Sequence, residues 1–454
     1  MNNINFQKYP AYKYSGVEWL GEIPEHWEIG KLGTLLKPIS EKNHPDLPLL
    51  SITREAGVIE RNIEDDSENH NYIPDDLSGY KLLKEGQFGM NKMKAWQGSY
   101  GIAPLTGIVS PAYYIFDLNS SINPRFFHLA IRSKNYVAFF GQASEGVRVG
   151  QWDLSKTRMR EIPFFIPPLS EQTAIATFLD TKTAQIDRAI TQKERMIDLL
   201  KERKQIIIQD LVTGKKVWNE KQNAWVDSRS SSEVEMKDSG VEWIGEIPEG
   251  WEVKKLFGIC RFVRGNSTFS KDELLSNGEY VALQYGKTYK VAEVNDNYQF
   301  YVNSEFYKDS QVVNYGDTII ISTSETIQDL GHSAYYNRND LGLLGGEQMM
   351  MKPNMDAVNG LFLYYTSKVF SKELRKYATG IKVYRFNIND LKTVHFAVPS
   401  IQVQSTIVTH IEAQSTKINK AIDLQEQQIE KLKELKATLI DSAVTGKIKV
   451  ALLN

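Results

Sequence analysis

The chain has one cysteine in 454 residues, Cys260, which excludes a disulfide scaffold and any zinc module built on cysteine pairs. Histidines number seven, and the nearest two, His395 and His410, lie fifteen positions apart, so no local metal-ligand pair exists. No stretch approaches the ~18 apolar residues of a membrane span, and the opening MNNINFQKYPAYK lacks the apolar centre of a signal peptide. A soluble, cytoplasmic protein with no membrane role is expected. Phosphate loops are missing too, because neither VTGK stretch (Val212 to Lys215, Val444 to Lys447) has the upstream glycine of GxxxxGK[ST]. Carboxylate-x-Lys pairs such as Glu202 and Lys204 fall in a helical stretch and read as solvated charges.

With 41% hydrophobic and 11% aromatic residues, the chain can bury real cores, and its length allows two to four domains. The net charge of −2 argues mildly against a nucleic-acid binder, but the charge is uneven. Glu55 to Asp76 carries −7, whereas Arg125 to Arg160 and Lys368 to Arg385 each carry +5. The two basic stretches occupy equivalent places and form candidate phosphate-facing patches, against the alternative of ordinary solvated surface.

One phrase occurs twice. SGVEWLGEIPEHWE (Ser15 to Glu28) returns as SGVEWIGEIPEGWE (Ser239 to Glu252), identical at twelve of fourteen positions. IPPLSEQ (Ile166 to Gln172) returns as VPSIQVQ (Val398 to Gln404), and VTGK recurs after it. The displacements of 224 and 232 residues far exceed the ~20–50 residues of a solenoid unit. They indicate two tandem domains with like frames and unlike middles.

From Ser170 to Val212 the sequence predicts one long helix, free of Pro and Gly and stopped by Gly214. Ile186, Ile190, Lys193, Ile197, Leu200, Lys204, Ile207 and Leu211 alternate spacings of four and three, a heptad seam with two polar breaks. Ile418, Ile422, Gln425, Ile429, Leu432, Lys436, Leu439 and Ala443 repeat that seam 232 residues later. The helices are expected to pack on each other, with packing on a partner as the competing arrangement. Paired antiparallel about a pseudo-twofold axis, they would set one globule at each end of a rod. Ile186 to Leu211 covers 25 steps, or ~38 Å at 1.5 Å per residue. One turn of B-DNA measures ~34–36 Å, so such a rod suits two readers on one face of a duplex.

The segments assigned are 1–168, a globular domain; 169–215, a scaffold helix; 216–237, a polar, Ser-rich linker; 238–399, a second globular domain; and 400–447, a second scaffold helix. Runs such as TIIIS (Thr318 to Ser322) and AYYIF (Ala112 to Phe116) mark the globules as mixed α/β, with strand order left open.

The opening phrase, IPPLSEQ and LVTGK, with their second-half counterparts in the same order, resemble the specificity subunit of a Type I restriction-modification system. The second copy departs at Val403, where the family has an acidic residue before Gln404. The resemblance implies two target-recognition domains, each reading part of a split double-stranded DNA target, joined by conserved helices in an antiparallel coiled coil. It implies a subunit without catalysis or cofactor of its own, which positions two methyltransferase subunits and, through them, restriction and translocase subunits. The alternatives are a self-contained DNA methyltransferase or nuclease, and a coiled-coil scaffold without a DNA role. SPAY (Ser110 to Tyr113) resembles the amino-methyltransferase motif (N/D/S)PP(Y/F), but Ala112 replaces the second proline and no glycine-rich cofactor loop precedes it. No catalytic or metal-binding residue is assigned.

For DNA contact the candidates are Lys92, Lys94, Trp96 and Gln97, concentrated between glycines in NKMKAWQGSYG. Arg148 and Lys382 occupy corresponding places in EGVRVGQW and TGIKVYRF, with Tyr384 and Arg385 beside the latter. Ser324 in STSET and Gln348 in GGEQ complete the set. Trp19, Trp27, Trp243 and Trp251, two in each copy of the opening phrase, are read as packing anchors.

Overall fold

The computed structural model describes residues 7–18, 21–62, 73–146 and 152–450. The chain forms two compact units, Met1–Glu194 with Gln425–Asn454, and Arg195–Leu424. Each unit therefore holds one globular domain with the near part of one long helix and the far part of the other. The helices run Leu169–Val212 and Ile401–Val444, 44 residues each. Among the described residues no helix is long and apolar enough to cross a membrane.

In the first unit the domain is built on a four-stranded antiparallel sheet in the order Leu36–Ile39, Tyr114–Leu118, Phe88–Met90, Tyr100–Ile102. The helices Pro124–Ile131 and Lys134–Gln142 cover it, burying Phe126, Phe127, Tyr136 and Phe140. In the second unit the sheet order is Cys260–Arg264, Gln348–Pro353, Thr318–Ile321, Ser333–Tyr336, with Glu293–Val294 added in parallel at the edge. The helix Gly360–Leu374 covers it. The middles that share little sequence thus share a strand order: their central strands are buried on both faces, where many different apolar side chains fit.

The repeated phrases are structural joints. EIP pairs with Tyr12–Tyr14 in one copy and with Met236–Asp238 in the other. The next strand, Glu28–Lys31, pairs with Pro163–Ile166, as Glu252–Lys255 pairs with His395–Val398. Gln172 is fully buried at the start of the first long helix. Its amide donates to Pro167 O at 2.9 Å and Ser121 O at 3.0 Å, and accepts from Asn123 N at 2.8 Å. Gln404 repeats this, donating to Pro399 O at 2.9 Å and Ala357 O at 3.3 Å and accepting from Asn359 N at 2.8 Å. Asn123 and Asn359 in turn N-cap the covering helices.

The closing glycines complete the joint crosswise. Gly446 (φ +73°) lies on Pro24 and Trp27 of the first phrase, and Gly214 (φ +75°) on Pro248 and Trp251 of the second. A Cβ would stand 2.3 Å from Pro24 Cδ at one site and 2.5 Å from Pro248 Cδ at the other. Trp27 and Trp251 are buried and Trp243 is partly buried, as packing anchors; Trp19 lies outside the described residues. One difference between the copies alters the joint: Glu171 is buried and takes bonds from Tyr9 OH and, at 3.2 Å, Trp27 Nε1, with His26 Nε2 at 2.8 Å. Its counterpart Val403 is exposed.

The long helices pack together along the seam. In the first unit Ile186, Leu432, Leu439 and Ala443 are buried, with Ile190 partly so. There Lys193 donates to Gln425 at 3.1 Å and to Gln428, and Lys436 to Asp187 at 2.7 Å. In the second unit Leu211 is buried and Ile207 partly, while Ile208 and Ile411 join them because the globular domain also packs on the helices there. Lys204 donates to Asn419 at 3.1 Å. Ile197, Ile418 and Ile429 are buried, and Leu200 and Ile422 are half-buried. Residues 216–237, read from sequence as a polar linker, carry a hairpin of Lys216–Asn219 with Ala224–Asp227, whose Trp225 stacks 4.6 Å from His410.

Candidate nucleic-acid interface

In each domain two loops meet at the end of one sheet strand. In the first, Phe88–Met90 runs out into Asn91 to Ser99, whose tight turn is closed by Asn91 N to Ser99 O at 3.0 Å and by Gly98 in the left-handed region at φ +91°. The hairpin Ser144–Glu145 with Asp153–Leu154 lies beside it, and Leu154 N donates to Lys92 O at 3.2 Å. In the second, Thr318–Ile321 runs out into Ser322 to Thr326, and Phe386 N donates to Ser322 O at 3.2 Å. Lys92 with Leu154, and Ser322 with Phe386, are therefore neighbours at equivalent places in the two domains.

Lys92 Nζ bonds Asp153 Oδ2 at 3.0 Å, which raises its pKa. Trp96 is half-buried and packs on Trp152 with centroids 5.0 Å apart; its Nε1 has no partner among the described residues. Lys94 is exposed and Gln97 half-buried, and both line a cavity of about 320 Å³ with Arg54, Arg61, Asn91 and Tyr113. Arg148 lies outside the described residues. Tyr113 of the SPAY turn accepts from Asn91 Nδ2 at 3.3 Å through its hydroxyl, so that turn buttresses the loop.

Arg132 explains how the cavity keeps its shape. Its guanidinium donates to Gly98 O (3.1 Å) at the end of the loop and Tyr100 O (2.7 Å) at the start of the following strand, and to Arg54 O and Glu55 O (both 2.8 Å) on the turn between Leu50–Thr53 and Gly57–Glu60. Burial lowers its pKa. Next to it His128 Nδ1 accepts from Ile102 N at 3.2 Å, and burial, with Arg132 nearby, pushes its pKa down to about 4.

In the second domain a cavity of about 510 Å³ is lined by Arg264, Thr323, Glu347, Tyr377, Arg385 and Asn387. Tyr384–Arg385 pairs with Thr323–Ser324, and Thr379 and Arg385 exchange backbone bonds of 2.9 Å. This closes a turn in which Gly380 (φ +114°) would bring a Cβ to 2.0 Å from Val383 O. Lys382 stands exposed at its tip beside Ile381, which is 95% exposed.

Two sequence expectations are revised by burial and a third by internal pairing. Ser324 is enclosed, its Oγ accepting from Thr326 N at 3.2 Å. Gln348 is fully buried in its strand and donates to Leu283 O at 2.6 Å, so it presents no amide to a base. The basic stretches, expected as phosphate-facing patches, are largely paired internally: Arg125 with Asp180, Arg158 with Glu145, Lys376 with Glu373, and Lys368 with Ser333 O. Net charge along a segment does not distinguish a free cation from one that ties two elements together. Arg54, Arg264 and Asn387 line the cavities and were not legible in the sequence; Arg264 arrives only through the sheet register that sets it opposite Met349.

Among the described residues no group of three His, Cys, Asp or Glu side chains converges to hold a metal. Cys260 is buried, and burial pushes its thiol up to about 12.

The sequence profile of the family described as Type I restriction modification DNA specificity domain matches residues 98–196 and 248–434. The chain is 24% identical over 468 residues to a protein assigned as the MjaX type I restriction enzyme specificity subunit of Methanocaldococcus jannaschii, covering 98% of this chain and 99% of that one. It is 24% identical over 304 residues to the EcoBI specificity subunit of Escherichia coli, covering 64% of this chain and 58% of that one. Two solved structures share the fold. One, from work on complex assembly and conformational transition of the type I R-M system, gives a TM-score of 0.62 at 16% identity over 94% of this chain and 99% of that one. The other, the HsdS subunit from Thermoanaerobacter tengcongensis, gives 0.51 at 14% identity over 94% and 98%.

Proposed function

The chain belongs to the Type I restriction modification DNA specificity family, and from that premise we propose that its two domains each read one part of a split, asymmetric double-stranded DNA target. The protein is a specificity subunit, the non-catalytic component that tells its complex where to act. The observation that carries the two-reader reading is the repeated loop pair. Leu154 to Lys92 and Phe386 to Ser322 are the same bond in two domains, and the side chains displayed around it differ. Equal mounts with unequal readers fit a bipartite target whose halves differ. Asn, Gln, Lys and Arg are the residue types that read base edges. We assign Lys94, Gln97 and Arg385 to that surface, and Lys92, Arg148 and Lys382 to phosphates, with Trp96 shaping the loop and Tyr384 packed on the core behind Arg385.

The domain limits we infer are 1–168 and 238–399, with the helices of 169–215 and 400–447 as an antiparallel coiled coil that relates them by a pseudo-twofold axis. Its support is the order of contacts inside the first unit: Asp187 meets Lys436 while the later Lys193 meets the earlier Gln425. A symmetric mount would seat two methyltransferase subunits, and restriction and translocase subunits through them.

The experiment is to express the chain with its partner subunits and map methylated adenines across the host genome. A bipartite, asymmetric motif is expected. A continuous palindrome would contradict the model of two unlike readers.

A further inference from the structure

We propose that Glu347 and Arg385 form a base-reading pair in the second domain, set to recognise a G·C base pair of its half-site; this deepens, and rests on, the DNA-recognition reading above. Glu347 is held in a backbone conformation that non-glycine residues rarely adopt, φ +63°. Nothing about it is loose. Before it, Gly345 N donates to Leu283 O at 2.9 Å, and a Cβ at Gly345 would stand 2.5 Å from that oxygen. At its own carbonyl, Ser322 Oγ donates at 3.2 Å. After it, the buried Gln348 ties its side chain to Leu283 O and accepts from Gly265 N at 2.9 Å through its backbone. Strain that the surroundings enforce this completely is a feature of binding and catalytic sites.

The side chain is anchored through one carboxylate oxygen. Thr323 Oγ1 donates to Glu347 Oε2 at 2.7 Å, and Arg385 Nη2 stands 3.9 Å from the same oxygen. Thr323 and Arg385 face each other across one rung of the strand pair, so all three side chains share a fixed platform. Both charged side chains remain open to solvent, 54% and 62% exposed, at the rim of the cavity. Arg385 therefore keeps donors for a ligand, and among the described residues no bond occupies Glu347 Oε1.

Charge decides what such a pair suits. A carboxylate repels phosphate, so on a DNA-facing surface it fits a base edge carrying an exocyclic amine. In the major groove Glu accepts from cytosine N4 and Arg donates to guanine O6 and N7. In a G·C pair those groups lie side by side, as the two side chains do here. An ordinary surface ion pair accounts for none of the backbone fixing.

The test is to assemble the complex with full-length wild-type chain, Glu347→Gln and Glu347→Gly, and map the methylated motifs on genomic DNA. Glycine accepts the left-handed backbone, so the second variant removes the carboxylate without new strain. Wild type is expected to require G·C at one position of one half-site. Gln, which pairs with adenine, is expected to shift that position toward A·T, and Gly to make it degenerate, by roughly ten- to a hundred-fold in preference. The other half-site is expected to be unchanged. Unaltered motifs in both variants would overturn the proposal. So would uniform loss of methylation by variants that keep native circular dichroism and still assemble, because the pair would then serve affinity alone. A wild-type motif that is not bipartite would instead strike the underlying two-reader reading.

Discussion

Gln172 and Gln404 hold the frame in a way apolar residues cannot, because a buried amide is satisfied in only one arrangement. Each binds the carbonyl before its own helix and the N-cap residue of a helix in the adjoining domain. Removing either would leave a buried N–H without a partner, a loss of about 1–3 kcal/mol. Arg132 acts similarly in the first domain, binding four carbonyls on two neighbouring segments. His128 beside it gives a pH signature. Its Nδ1 accepts a bond from Ile102 N, so the ring must be neutral there, and its pKa falls to about 4 from the ordinary 6.5. A folded-state value below the unfolded one means that the unfolded chain takes up the proton first as pH falls. The stability His128 contributes is thus intact above about pH 6.5 and is lost progressively between there and about pH 4. Chemical denaturation across that window should show the decline in wild type and a shallower one in His128→Gln. An unchanged slope would mean that the imidazole is not held neutral.

Between elements, the long helices divide their seam into two kinds of contact with different energetic weight. Leu439 is buried in the first unit's core, and truncation to Ala should cost about 2–5 kcal/mol through lost contacts and a residual cavity. Lys193 is half-buried and reaches Gln425 and Gln428. Lys193→Ala should cost no more than about 1 kcal/mol, since a polar contact open to water exchanges one set of hydrogen bonds for another. Its place in the seam instead favours register, because an apolar residue facing those glutamines would leave them unpaired. Thermal and urea unfolding of the two variants measure the difference, and equal costs would show that the breaks carry as much stability as the apolar positions. The seam was legible from spacing alone. The enlargement of the buried arc to Ile208 and Ile411 was not, because it depends on a domain packed against the helices and not on the helix period.

At the scale of the whole molecule, each unit is assembled from parts distant in the chain: one helix begins beside its own domain and ends in the other unit. The crosswise docking of Gly446 on the first phrase and Gly214 on the second makes the frame the same at both joints. A chain carrying the first domain in both frames should therefore fold and assemble. If the helices are antiparallel, its methylated target should be an inverted repeat of one half-site. A direct repeat would show that the copies are related by translation.

The sequence by itself determined the duplication, the two long helices and the identity of the frame. Those features are written in local spacing, and in residues whose joints admit few substitutes: a glycine pressed on a proline ring, a glutamine buried with its bonds complete. The surface proposed for recognition is assembled only by the tertiary structure. Asn91 to Ser99 and Asp153–Leu154 are some fifty residues apart in the chain and become neighbours through the bond from Leu154 N to Lys92 O. Burial then separates residues of like type, enclosing Gln348 in a strand while leaving its neighbour Glu347 at the rim of the cavity. Composition cannot distinguish those two fates, because exposure depends on what the rest of the chain lays across each residue.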